Sequence, residues 1–169
     1  DEYVCQRGDY RFSVLSSRII RVEKDEKRIF TDEATQTVIC RDFDRPQFSF
    51  SQDNNKIVIK TDDIIFRFDL SKGKAESITL KDSRCVTNFK AGNLKGTYRT
   101  LDMINGSVRL GDGLMSTNGV SVVDDSKTVI MSTDGTLKER RHIQKDEYYF
   151  AFGNDFRGCL KDFFKLCGS

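Results

Sequence analysis

Asp124 and Asp125 are the most conspicuous pair of carboxylates in the sequence. Two positioned carboxyl groups are a common arrangement for general acid–base chemistry. Adjacent residues on a strand point to opposite faces, so these two side chains are not expected to act together on one substrate. Aspartates at a strand end commonly accept hydrogen bonds from turn amides, and we predict that role here.

His142 is the single histidine of the chain, and it has no serine or cysteine nearby in a recognisable nucleophile context. We predict an exposed histidine on a hairpin. Its neighbours Arg140 and Arg141, together with Glu139, indicate a solvated strand face. The serines do not form a G-x-S-x-G elbow, and the glycines form neither a phosphate-binding loop nor a dinucleotide fingerprint. We therefore expect no catalytic residue in this chain and no cofactor.

The five cysteines are widely spaced and form no C-x-x-C pair. This usage favours free, buried thiols in a reducing compartment, and hence a cytoplasmic protein. A zinc site and a disulfide framework are the alternatives. With one histidine the chain is poor in nitrogen ligands, and we predict no metal site.

The charge of the chain is nearly balanced, with 28 basic and 26 acidic residues and a net charge of +2. A nucleic-acid-binding surface normally shows a clustered basic excess, so no nucleic-acid partner is expected. No apolar run approaches the roughly eighteen residues of a membrane helix, and no signal peptide is visible. Because the chain begins at Asp1 without a methionine, we expect its natural start to lie upstream.

Short segments of alternating apolar and polar residues dominate the sequence. Such alternation with turn residues at spacings of roughly 8–12 residues predicts an antiparallel β-sandwich or barrel. The predicted strands cover residues 10–15, 19–24, 28–31, 37–41, 47–51, 56–61, 64–70, 76–81, 128–131, 137–143 and 147–152. The fold class is therefore all-β.

One helix is predicted at the end of the chain. Asn154 or Asp155 suits its N-cap, because either side chain can accept from the first-turn amides. Gly168 stands where a C-terminal glycine cap belongs. A helical apolar stripe is formed by Phe156, Cys159, Leu160, Phe163 and Cys167.

The stretch from Asn93 to Ser126 contains five of the twelve glycines and several turn dipeptides, such as Asn105-Gly106 and Asn118-Gly119. A loop of this length in a compact domain is usually functional or disordered. Strand-like pieces at 108–110 and 120–123 interrupt it. We interpret it as an ordered loop that presents residues to a partner or a ligand.

Three segments in this order carry a resemblance to a known family: NLKGTYRTLD at 93–102, GLMSTNGVSVVDDS at 113–126 and DEYYFAFGNDFRGCLKDFFKLCG at 146–168. They resemble the N-terminal β-sandwich domain of glycoside hydrolase family 31, the α-glucosidase and α-xylosidase family. The resemblance is close over residues 93–169, whereas residues 1–90 agree only in strand pattern. It implies an antiparallel β-sandwich of the galactose-mutarotase-like supersandwich type.

The resemblance also implies a domain organisation. Residues 1–153 would form the sandwich with an inserted loop at 93–117. Residues 154–168 would form a C-terminal helix that leads into a (β/α)8 barrel, which is absent from this chain and carries the catalytic carboxylates in that family.

By the same resemblance, the chain would be an accessory domain of a retaining α-glycosidase that hydrolyses terminal α-linked sugars. Its partners would be the barrel of the same polypeptide and an oligosaccharide or α-glucoside substrate. The loop would close one side of the substrate pocket, with Arg99, Asp102 and Asp112 as the candidate substrate-binding residues. Arg99 and Asp102 could equally pair within the loop and hold its shape. Val120 stands where many relatives have tryptophan.

The alternative function is a free-standing carbohydrate-binding module. Such a module needs aromatic platforms for sugar rings, and the sequence lacks tryptophan. Tyr98, Tyr148 and Tyr149 are the candidate platforms.

Overall fold

A computed structural model describes residues 3–96, 103–140 and 142–168. This part of the chain forms twelve β-strands and one α-helix. The strands are β1 Val4–Arg7, β2 Tyr10–Ser16, β3 Ile19–Asp25, β4 Phe48–Asp53, β5 Lys56–Thr61, β6 Ile64–Asp69, β7 Lys74–Leu80, β8 Cys85–Val86, β9 Val120–Asp124, β10 Ile130–Met131, β11 Leu137–Lys138 and β12 Ile143–Ala151; the helix is α1 Phe156–Cys167.

Ten of the strands form two five-stranded sheets, in which neighbouring strands pair antiparallel. The first sheet has the order β1-β2-β3-β12-β9, and the second has the order β4-β5-β6-β7-β8. The remaining two strands, β10 and β11, pair as a short hairpin. The prediction of an all-β sandwich with one C-terminal helix is confirmed.

The main core lies between the two sheets. Alternate residues of the strands point inward, as the period of two requires. The first sheet contributes Phe12, Ile20 and Tyr149, and the second contributes Ile57 and Phe66, all buried. The rings of Phe66 and Tyr149 meet edge to face across the sandwich, with centroids 5.1 Å apart.

A second core covers the outer face of the first sheet. There Leu15, Ile19 and Phe150 pack against Leu166 of α1 and against Val38. Val38 belongs to residues 26–47, which connect β3 to β4 and which we call the strap. The first sheet is therefore covered on both faces, and neither face is fully exposed to solvent.

The strap corrects two strand predictions. Residues 28–31 and 37–41 do not form strands. The apolar side chain of Val38 packs down onto the sheet, and the amides of Ile39 and Cys40 donate to the carbonyl of Leu166 at 2.9 and 3.0 Å. The strap has alternating apolar and polar residues because it lies on the sheet and buries one side, and it does not pair as a strand. The predicted piece at 108–110 is likewise not a strand, whereas β9 confirms the piece at 120–123.

The helix has the predicted caps, and three residues of the predicted apolar stripe, Cys159, Phe163 and Cys167, pack on the second core. The Asp155 carboxylate accepts from the Gly158 amide at 2.9 Å, and the Gly168 amide donates to the Phe164 carbonyl at 2.8 Å. Cys159 and Leu166 are its buried residues. Phe156 and Leu160, the other two residues of the predicted apolar stripe, are exposed. No helix in the described ranges is long and apolar enough to cross a membrane.

Candidate functional site

The predicted loop at 93–117 is closed at its base by one side chain, Asn93. Its carboxamide nitrogen donates to the Gly113 carbonyl at 2.7 Å. Its carboxamide oxygen accepts from the amides of Gly113 and Lys95 at 2.9 and 2.8 Å. This side chain therefore ties the two arms of the loop together. We call residues 92–96 and 111–119 the neck.

Glycine is required where the arms meet. A Cβ atom at Gly113 would lie 2.6 Å from the Lys95 carbonyl oxygen, closer than side-chain carbons approach backbone. Backbone hydrogen bonds continue the contact: Leu94 donates to Met115 at 2.9 Å and Thr117 donates to Gly92 at 2.8 Å. The neck is therefore an ordered structure, as predicted for this stretch.

Asp112 is the one predicted substrate-binding residue that the structure locates. It lies on the neck, where the Lys95 ammonium donates a hydrogen bond to its carboxylate. That hydrogen bond and the charge of Lys95 hold the pKa of Asp112 below its usual range. Both side chains remain about half exposed. Arg99 and Asp102 lie outside the described residues, so the grouping of the three stays a prediction.

The neck is fixed against the start of α1 by a contact between two glycines. A Cβ atom at Gly119 would lie 2.5 Å from the Cα atom of Gly153. The Gly153 amide donates to the Gly119 carbonyl at 3.0 Å, and Gly119 has a φ of +83°, a conformation that favours glycine. Met115 of the neck and Phe156 of α1 line one small cavity beside this contact. The loop and the helix therefore share one edge of the molecule.

An apolar stripe runs along the outward face of α1. Phe156, Leu160 and Phe164 are 38, 39 and 48% exposed, and their spacing of four residues places them on one side of the helix. Ile39 of the strap, also 48% exposed, lies against Gly168 at the helix end. Contiguous exposed apolar surface commonly marks an interaction site. We call these three helix residues the outer stripe.

A buried cluster of charged residues lies on the outer face of the first sheet, under the strap. Arg21 donates to both carboxylate oxygens of Asp146, at 2.7 and 2.8 Å, and lies 3.0 Å from Glu23. All three residues are fully buried. Arg11 completes the cluster with two hydrogen bonds to Glu23 at 2.6 and 2.9 Å. This cluster was not predicted from the sequence.

The cluster fixes the strap to the sheet. Asp32 of the strap accepts from Arg11 and Arg21, each at 2.7 Å. Burial alone would raise the pKa of Asp146, but the hydrogen bonds from Arg21 and Arg140 outweigh it and lower that pKa. Burial dominates at Glu23 and raises its pKa. Since these buried carboxylates are already occupied by arginines, their role is structural.

Arg140 corrects the prediction of a solvated strand face at 139–141. Its side chain is 3% exposed and pairs with Asp125 at 3.3 Å and Asp146 at 2.5 Å. The charge is buried because carboxylates from neighbouring segments surround it. Arg141 lies outside the described residues. His142 is exposed, as predicted.

Asp124 and Asp125 lie in different environments, as expected for adjacent residues at a strand end. The exposed Asp124 accepts from the Ser126 amide at 3.0 Å, which confirms the predicted turn role. Asp125 is buried and accepts from the Thr35 hydroxyl at 2.8 Å. They do not form a joint acid–base site.

The five cysteines are free, and Cys159 is the buried one. The prediction of free thiols is confirmed, while burial is partial for Cys5, Cys40 and Cys167, and Cys85 is exposed. Burial raises the pKa of Cys159 to about 12, which leaves it a neutral thiol. In the part of the chain that the structure describes, no group of three histidine, cysteine or acidic side chains could hold a metal ion.

Two of the three proposed sugar platforms are core residues. Tyr148 and Tyr149 are 0 and 4% exposed. The Tyr148 hydroxyl accepts from Arg41 at 2.8 Å, and the Tyr149 hydroxyl donates to Glu147 at 2.6 Å. Neither ring can stack on a sugar, because Tyr149 is buried in the main core and Tyr148 in the second core. Tyr98 lies outside the described residues.

The fold is similar to part of a glycoside hydrolase family 31 dextranase from Flavobacterium johnsoniae, solved as a mutant with isomaltotriose and also with glucose. The two matches have 15 and 14% sequence identity, a TM-score of 0.47, and cover 98% of this chain and 26% of that chain. A family 31 α-xylosidase from Xanthomonas citri matches at 15% identity and a TM-score of 0.36, over 72% of this chain and 10% of that chain.

These neighbours are enzymes of glycoside hydrolase family 31. It is the same family that the three sequence segments resemble. The chain spans about a quarter of the length of the dextranase that it matches. No family model matches the sequence, and no curated protein matches it.

Proposed function

We propose that this chain is the N-terminal accessory domain of a retaining α-glycosidase of family 31, an enzyme that hydrolyses terminal α-linked sugars. The observation that carries the proposal is the outer stripe of α1, whose aromatic and aliphatic side chains face outward. The three ordered motifs at 93–102, 113–126 and 146–168 support it. The barrel of the same polypeptide is the proposed occupant of the stripe.

The position of the neck gives the loop its proposed task. The neck contacts the start of α1 through Gly119 and Gly153. A barrel docked on the outer stripe would therefore lie beside the loop at 93–117. In this arrangement Arg99, Asp102 and Asp112 contact the oligosaccharide or α-glucoside at the pocket mouth.

Catalysis is assigned to the barrel. A retaining glycosidase needs two carboxyl groups about 5–5.5 Å apart with access to substrate. The carboxylates of Glu23, Asp125 and Asp146 are buried and held by arginines and hydroxyls, so they cannot reach a sugar. The domain would shape the pocket and leave bond cleavage to the following domain, in a cytoplasmic enzyme.

Two measurements test the proposal. The reading frame downstream of Ser169 should encode a (β/α)8 barrel, and a stop codon there would contradict it. The purified chain should not hydrolyse p-nitrophenyl α-glucoside, and turnover that survives repeated purification would contradict it independently.

A calorimetric titration with maltose, isomaltose and xylosides separates this function from a free-standing sugar-binding module. The accessory domain should give no heat of binding. Saturable binding of one of these sugars by the isolated chain would favour the module, although Tyr148 and Tyr149 are buried.

A further inference from the structure

A cavity of about 290 Å³ lies between the outer face of the first sheet and the second half of the strap. Ser13 of β2 lines it on the sheet side, and Arg41 and Phe43 line it on the strap side. Its volume is near the lower end of the roughly 300–1,000 Å³ of small-molecule sites. The cavity shares no lining residue with the neck or the outer stripe, so it is separate from both.

Ser13 brings an unsatisfied hydroxyl to this cavity. Alternate residues of β2 point to the outer face, where Arg11 joins the charged cluster and Leu15 packs in the second core. Ser13 lies between these two positions, with Arg21 as its cross-strand partner. It is 7% exposed, and its hydroxyl has no hydrogen-bond partner among the described residues. Since a buried hydroxyl without a partner costs free energy, a ligand that supplies one would be stabilised here.

Arg41 brings a positive charge that has no ion pair among the described residues. Its Nε atom donates to the Tyr148 hydroxyl at 2.8 Å, and its Nη1 atom donates to the backbone carbonyls of Asp32 and Glu33 at 3.1 and 3.0 Å. All three acceptors are uncharged. Its Nη2 atom is buried and has no hydrogen-bond partner. Buried charged groups are normally paired, because an unpaired one loses hydration without compensation.

The two carboxylates that line the cavity do not neutralise Arg41. Asp32 is held by Arg11 and Arg21, at 2.7 Å from each. Asp42 is exposed and makes no ion pair within the described ranges. A guanidinium and a hydroxyl are therefore both open to an acceptor with negative charge, and an oxyanion has this chemistry.

We propose that this cavity binds a small organic oxyanion, a carboxylate or a phosphate ester, whose oxygens accept from Nη2 of Arg41 and from the Ser13 hydroxyl. A guanidinium binds such groups through charge-assisted hydrogen bonds. The carbon skeleton of the ligand lies against the ring of Phe43, which is the apolar wall of the cavity. The exposed carboxylate of Asp42 favours a ligand that also carries hydroxyl groups over a bare, multiply charged anion.

Calorimetric titration of the chain with three probes tests the site: glucuronate, glucose 6-phosphate and glucose. The probes share a sugar ring and carry a carboxylate, a phosphate or neither. At least one of the two anions should bind saturably, and which of them binds identifies the class of oxyanion. Glucose should not bind. Failure of both anions to bind saturably, or binding of glucose as tightly as the anions, would overturn the proposal.

Arg41→Gln removes the charge and should weaken anion binding at least about tenfold. Arg109→Gln is the matched control, because it makes the same change at an exposed position outside the cavity, and it should leave the affinity unchanged. An equal loss in the two variants would overturn the proposal, since it would show that the net charge of the chain attracts the anion.

Ser13→Ala tests the site without disturbing the contacts that Arg41 makes with Tyr148 and the strap. It removes only the hydroxyl, so the melting temperature should stay close to native while the affinity falls about threefold or more. This variant decides the matter if Arg41→Gln does not fold. Native affinity in either folded variant would overturn the assignment of that residue and of the cavity. The proposal is independent of the proposed function.

Discussion

Arg21 and Asp146 are joined by two parallel hydrogen bonds of 2.7 and 2.8 Å between β3 and β12, and neither side chain has contact with solvent. A bidentate guanidinium–carboxylate pair has a defined geometry as well as opposite charges. The pair lies beneath the strap, to which Arg21 is joined through Asp32. It therefore connects the first sheet to the segment that covers it.

Removing one partner of this pair should be strongly destabilising. Asp146→Ala leaves the guanidinium of Arg21 buried without its main acceptor, and such losses typically cost about 3–5 kcal/mol. Urea unfolding of native and variant chains measures the difference. The control is Asp82→Ala, whose ion pair with Arg84 is solvent-exposed, and it should leave the midpoint nearly unchanged. Equal effects of the two substitutions would contradict the structural role of the cluster.

The same pair should make stability depend on pH in the acid range. The pKa of Asp146 is lower in the folded than in the unfolded chain, so the unfolded chain binds more protons. The stabilisation is present above the unfolded pKa of about 4 and is lost as pH falls through the lower folded pKa. The raised pKa of Glu23 changes stability with pH in the opposite direction. The contribution of Asp146 is therefore measured as the difference between the native chain and a variant at Asp146.

Asp146→Asn supplies that difference, because it keeps the shape of the side chain and removes its charge. The gap in unfolding free energy between native and variant chains should be largest near neutral pH and should close below about pH 4. Urea midpoints over a pH series measure it. Asp44→Asn, at an exposed position with no described ion pair, serves as control. A gap that stays constant with pH would show that the ion pair does not carry the effect.

Two leucines of α1 test which face of the helix is buried. Leu166 is fully buried in the second core, so Leu166→Ala should cost about 2–5 kcal/mol through lost contacts and a cavity. Leu160 on the outer stripe is 39% exposed, so Leu160→Ala should have a much smaller effect. Thermal unfolding followed at helical wavelengths compares the two. A larger effect at Leu160 than at Leu166 would contradict the burial of Leu166 and indicate that Leu160 lies on the buried face of the helix.

The neck predicts a local effect without global unfolding. Asn93→Ala removes three hydrogen bonds that hold the two arms of the loop. Limited proteolysis within residues 93–117 should become several-fold faster, while the melting temperature changes little, because local opening and global unfolding are separate equilibria. Asn105→Ala is the matched control, since Asn105 is an exposed amide in the same loop. Equal cleavage of both variants would contradict the role of Asn93.

The outer stripe should bind apolar probes. Changing Phe156, Leu160 and Phe164 together to serine should remove most of the fluorescence of a hydrophobic dye bound to the isolated chain. Arg157→Ser with Lys161→Ser changes exposed polar positions on the same helix and should leave the signal unchanged. In the proposed parent enzyme, the serine variant should lower the melting temperature, because it removes the docking contacts. Unchanged dye binding by the serine variant would contradict a contiguous stripe.

The sequence was sufficient to predict most of the two sheets. The alternating residues of β5 and β6 leave one face for the core, and Ile57 and Phe66 are buried there as expected. Alternation does not say whether the second face is covered. Arg21 and Glu23 occupy alternate positions that resemble a solvated face, yet the strap and Arg140, both distant in sequence, cover them.

The helix shows a different limit. Its ends were predictable from Asp155 and Gly168, because capping depends on local hydrogen bonds. Its buried face was predicted only in part, through Cys159, Phe163 and Cys167, because apolar residues occur on most sides of this helix. Leu166 packs inward while Leu160 and Phe164 face outward, and only the position of the sheet beneath the helix decides between them.

The contact between Gly119 and Gly153 limits how the edge of the domain can move. The two backbones touch with no side chain between them, so this contact has no rotamer that could change and no flexible group that could be compressed. The base of the loop and the first turn of α1 therefore keep one spacing. Any surface that binds the helix is held at a set distance from the base of the loop, because this edge of the domain is rigid.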